Sequence, residues 1–72
     1  MNTLKDYVEV NQGLVGGTPV FKGTRVTIKT LFDYLEEESL EEFLKGFPSV
    51  SREQAEGVIK MAAERFLSQI VQ

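Results

Sequence analysis

The 72-residue sequence contains no cysteine, no histidine and no tryptophan. Without cysteine no disulfide can staple the fold. Without cysteine or histidine the usual structural zinc site is excluded. Ser-His-Asp and Cys-His nucleophilic centres are excluded for the same reason. No apolar run approaches the roughly 20 residues of a membrane span. Residues 1–6 lack the apolar segment of a secretory signal. The expected setting is cytoplasmic, and the expected role is not enzymatic, with no cofactor and no metal.

What is present fits an ordinary globular domain, 42% hydrophobic and 26% charged. Residues 1–72 form a single domain at most. Ordering a chain of this size costs on the order of 100 kcal/mol, and domains below about 80 residues seldom bury enough apolar surface to offset that alone. With disulfides and zinc excluded, the remaining supports are good helix packing or a partner subunit. A homodimer is therefore expected.

Charge is split along the chain. The net charge is −3. Residues 1–31 carry four basic and two acidic side chains, whereas residues 32–72 carry four basic and nine acidic ones. An acidic domain argues against nucleic acid, because phosphate contacts need Lys and Arg. Any anionic partner should therefore meet the N-terminal part.

The first third lacks helical periodicity. Tyr7, Val8, Glu9 and Val10 alternate and favour a strand. Gly13, Gly16 and Gly17 make residues 11–18 a loop. Residues 19–22 and 25–28 are short β-prone stretches on either side of a Gly23-Thr24 turn, so β arms or a small hairpin are expected over about 7–28. Pro19 at the start of the first stretch favours an edge strand.

The period then changes. Ile28, Leu31, Phe32 and Leu35 fall on one helical face, with Thr27 as N-cap. Ser39 with Glu42, and Ser51 with Gln54, have the spacing of capping boxes. Gly46 and Pro48 end the middle helix. Helices are expected over 28–38, 40–46 and 52–69. The last should be the main core helix, with Ala55, Val58, Ile59, Ala62, Ala63, Phe66, Leu67 and Ile70 in one wide stripe. Gly57 within it calls for a close backbone approach from another element. The expected fold is mainly α, with short N-terminal β arms followed by a three-helix, homeodomain-like, helix-turn-helix domain.

Three patterns bear on function. Residues 17–24 are not a P-loop, because Lys22 precedes Gly23 and no helix follows at once. The carboxylates over 36–42 splay around a helix end and read as solvated surface or as a dock for a basic partner. The basic and amide side chains suited to nucleic acid are few. Lys22, Arg25 and Lys29 are candidates for phosphate contact, and Arg52 and Gln54 for base edges. The arm that carries Pro19, Val20, Phe21 and Val26 can instead pair with a second subunit.

The stretch Gly16-Gly17-Thr18-Pro19-Val20-Phe21-Lys22-Gly23-Thr24-Arg25-Val26-Thr27 strongly resembles the signature of the domain-of-unknown-function family 433. Phe47-Pro48 and residues 62–65, Ala-Ala-Glu-Arg, agree with the resemblance, which covers about residues 7–67. Glu38 stands where that family often has glycine, and Gly57 where it often has alanine. The resemblance implies the antitoxin half of a bacterial type II toxin–antitoxin pair. Its implied partners are a PIN-like toxin and, as a dimer, operator DNA. The alternative is a protein-interaction or dimerisation module with no nucleic-acid role. Antitoxins that neutralise through a flexible tail would need more chain beyond the last helix, so this one is expected to use its folded surface or the end of that helix.

Overall fold

The computed structural model describes residues 4–10 and 17–70. The chain is mainly helical, with a two-stranded antiparallel sheet near its start. The order is α1 (Leu4–Tyr7), β1 (Val8–Glu9), β2 (Val20–Phe21), α2 (Ile28–Leu35), α3 (Leu40–Gly46) and α4 (Arg52–Ile70). Residues 11–16 of the expected loop lie outside the described residues.

Strand β1 pairs with β2, Val8 opposite Phe21 and Glu9 opposite Val20. On its other side β2 meets the segment leading into α2. A bridge joins Val20 to Thr27, and the Phe21 amide donates to the Val26 carbonyl at 2.9 Å. The expected hairpin is therefore present, but β2 is its middle rather than its edge. Pro19 allows this because it precedes the paired residues, and its carbonyl accepts from the Ile28 amide at 3.1 Å.

The turn between the two stretches is built by its own residues. The Thr24 amide and hydroxyl both donate to the Phe21 carbonyl at 2.9 Å, and the Val26 amide donates to the Thr24 hydroxyl at 3.0 Å. Gly23 sits at φ 80°, the left-handed position that a type II turn needs at its third residue. Thr27 then caps α2, accepting from the Thr30 amide at 3.1 Å. Most of the signature stretch thus has a local folding role. The Lys22 and Arg25 side chains face water.

Helix α2 ends at Leu35, three residues short of the sequence expectation. Glu36, Glu37 and Glu38 follow it in a turn closed on the Asp33 and Tyr34 carbonyls. Three carboxylates oppose the helix dipole there and favour ending it. Ser39 caps α3 through the Glu42 amide at 3.2 Å, while the Glu42 side chain turns to Lys45 instead of closing the box. The Ser51 box closes fully. The Gln54 amide donates to the Ser51 hydroxyl at 3.0 Å, and the Ser51 amide donates to Gln54 Oε1 at 2.9 Å.

The core is Tyr7, Phe21, Leu31, Phe43, Val50, Ala55 and Val58. Phe43 is its hub, with ring centroids 4.9 Å from Phe47, 5.8 Å from Tyr34 and 6.3 Å from Phe21. The close approach expected at Gly57 is made by a side chain instead of backbone: the Tyr7 ring lies over the glycine. That contact clamps the N-terminal turn onto α4.

Candidate functional site

Two surfaces stand out, one polar and one apolar. The polar one is the turn after β2 together with the start of α4. The Gln54 side chain joins them. Its Oε1 completes the cap on Ser51, and its Nε2 donates to the Lys22 carbonyl at 2.9 Å. Two groups of candidate residues that are 32 positions apart in sequence thus form one patch.

The charges of that patch are largely answered inside the chain. Arg52 Nη2 donates to both carboxylate oxygens of Glu41, at 2.6 and 2.5 Å, and Nη1 donates to Glu56 at 3.2 Å. The hydrogen bonds to Glu41 and Glu56 hold the Arg52 guanidinium more firmly protonated than usual. Glu9 Oε1 accepts from the Gly23 amide at 2.7 Å, which places a carboxylate at the tip of the basic turn. Lys29 bonds Asp33 at 2.6 Å, and that bond raises its pKa. Lys22 and Arg25 are exposed and have no ion-pair partner among the described residues.

The Arg52–Glu41 pair ties α3 to α4 across their connector. The Arg52 hydrogen bond and charge lower the Glu41 carboxyl below the ordinary glutamate range. A carboxyl depressed in the folded state contributes stability that is complete above its unfolded pKa. That contribution is lost as pH falls through the folded value. About half or more of each side chain is in water, so the contribution is small. We expect carboxyl NMR to place Glu41 below the ordinary glutamate range, with Arg52→Gln raising it. A Glu41 midpoint unmoved by Arg52→Gln would contradict this geometry.

The residues considered for a dimer arm sit elsewhere than on a free arm. Val20 and Phe21 are completely buried in the chain's own core, and Val26 packs against it. Pro19 alone of the four is exposed. The backbone groups around them are already bonded within the chain, as the ladder above shows. Pairing them with a second subunit would require opening this fold.

The apolar surface was not legible as such in the sequence. Only the first half of α4 is covered, with Ala55 and Val58 buried. Residues 62–70 are all exposed, and Phe66, Leu67 and Ile70 are 64%, 54% and 63% accessible. An open groove of about 600 Å³ runs between α2 and α4, floored by Ile28, Phe32, Val58, Met61 and Ala62. Glu64 and Arg65 line it as well. A second groove of about 500 Å³ continues from Ile28 and Val58 to Val8, Val10 and Pro19.

Among the described residues no group of three or more acidic side chains is placed to hold a metal ion. None of their helices is long and apolar enough to cross a membrane. No curated protein and no solved structure matches the chain. A family model does match, over residues 8–62, from β1 to the point on α4 where burial stops. The chain therefore belongs to the family described as "Protein of unknown function (DUF433)".

Proposed function

We propose that this chain is an antitoxin-like regulator that works by holding a partner protein rather than by reading bases. The observation that supports this most is the second half of α4, an apolar helix end with more than half of each large side chain in water. Contiguous exposed apolar surface of this kind marks interaction sites. The start of α4 supports the same reading, because Arg52 and Gln54 are bonded within the chain and Glu53 and Glu56 face a would-be phosphate.

The partner class follows from charge. Glu36, Glu37 and Glu38 are exposed and have no ion-pair partner among the described residues. They suit a basic protein surface, such as the nucleic-acid-binding face of a PIN-like ribonuclease. Co-expression with a PIN-like ribonuclease encoded beside its gene tests the reading. A stable complex with suppressed ribonuclease activity is expected, weakened by reversing Glu36, Glu37 and Glu38 to lysine. Full ribonuclease activity in the presence of excess chain would sink it.

One observation favours a second reading, in which DNA is bound as well. Lys22 and Arg25 are the free cations of the turn, and phosphate contact by them would be non-specific and salt-dependent. Binding to upstream DNA at low salt that is unchanged by Lys22→Ala plus Arg25→Ala would remove the turn as the contact.

A further inference from the structure

The α4 stripe is regular beyond the point where this chain can cover it. Apolar residues recur at 55, 58, 59, 62, 63, 66, 67 and 70, yet burial ends before Ala62. From there to Ile70 the helix projects about 13 Å at 1.5 Å per residue. A stripe that a chain cannot bury itself is the pattern of a helix made to lie against another helix.

The stripe is also complementary to itself. Set two copies of α4 antiparallel, with the two-fold axis level with the midpoint between Glu64 and Arg65. Ala62 of one copy then stands level with Leu67 of the other, Ala63 with Phe66, and Ile59 with Ile70. At the centre small residues meet large ones, as packed helices require, and the two isoleucines meet at the ends. The same face of each copy is used, so the contact closes as a dimer.

The charges agree: in this arrangement Glu64 of one copy stands level with Arg65 of the other.

We infer that the projecting half of α4 and the groove beside α2 form a homodimer interface, an antiparallel α4–α4 pair centred near residues 64–65. This rests on the reading of the chain as a protein-binding module. It assigns the apolar face to a second copy, so that the regulated partner is left the acidic turn after α2, and the reading of that partner then rests on Glu36, Glu37 and Glu38.

Light scattering at micromolar concentration tests it. The wild-type chain should have twice the 8.1 kDa of one chain. Phe66→Glu plus Ile70→Glu should give the single mass, a loss of about 30-fold or more in association. The helical circular dichroism should be kept, because both side chains are exposed in the single chain. The chain lacks cysteine, so Ala63→Cys can be bridged by a short bis-maleimide only to another copy. It should cross-link efficiently, and Glu37→Cys should not. A wild-type monomer overturns the proposal, as does a dimer indifferent to the α4 substitutions. If that monomer still suppresses the ribonuclease, only the dimer fails. If it does not, the protein-binding reading fails with it.

Discussion

Phe43→Ala leaves this chain unfolded, or nearly so, at room temperature. Phe43 is fully buried and is the ring on which Phe21, Tyr34 and Phe47 converge. Deleting a buried phenylalanine ring costs about 3–5 kcal/mol, from lost transfer energy and the cavity left behind. A core of this size rarely supplies more than about 3–5 kcal/mol in all. Neighbouring rings cannot refill the space cheaply, because Phe21 is fixed by the β2 ladder and Phe47 by its amide bond to the Phe43 carbonyl at 3.0 Å. Far-ultraviolet circular dichroism with a urea titration reads the outcome. A cooperative transition within about 1 kcal/mol of wild type would show that Phe43 is not the hub.

Gly57→Ala destabilises the chain, against the usual rule. In an exposed helix interior the change gains roughly 1 kcal/mol. Here a Cβ at residue 57 would sit 2.5 Å from Cε2 and 2.6 Å from Cζ of Tyr7. Non-bonded carbons need about 3.5 Å. Tyr7 is a core residue, so its ring must leave the core or α1 must shift away from α4. Overpacking of this kind costs about 1–3 kcal/mol, and after the propensity gain of roughly 1 kcal/mol a net loss of up to about 2 kcal/mol remains. Tyr7→Leu should relieve it, so that the double variant is more stable than the sum of its parts predicts. A Gly57→Ala variant more stable than wild type would mean that Tyr7 does not pack there.

How much of this was legible depends on the reach of each interaction. Caps act within four residues, so Thr27, Ser39 and Ser51 could be read directly from spacing. The turn at Gly23-Thr24 was legible for the same reason. Glycine inside a helix pointed to a close approach at residue 57, but nothing local named Tyr7, 50 positions away. The central place of β2 depends on Val8 and Glu9 coming back across residues 10–19, and no periodicity records that. Likewise the Arg52–Glu41 pair, 11 positions apart, turns a candidate base-reader into a strut between α3 and α4. The Gln54–Lys22 bond does the same for the amide.

The stripe on α4 is the instructive case. Periodicity correctly identifies an apolar face, and it was assigned to this chain's core. Periodicity does not say which chain covers the face. Only the fold shows that residues 62–70 stay exposed among the described residues. The expectation that so short a chain needs a second subunit and the exposed stripe then point to the same surface, α4 rather than the β arm.

The melting temperature as a function of chain concentration tests that account most directly. Association stabilises the folded state by mass action, so a dimer that completes an undersized core melts at higher temperature as concentration rises. The account predicts a steady rise for the wild-type chain, and a lower, flat melting temperature for Phe66→Glu plus Ile70→Glu. A wild-type melting temperature independent of concentration, with the mass of a single chain, would contradict it.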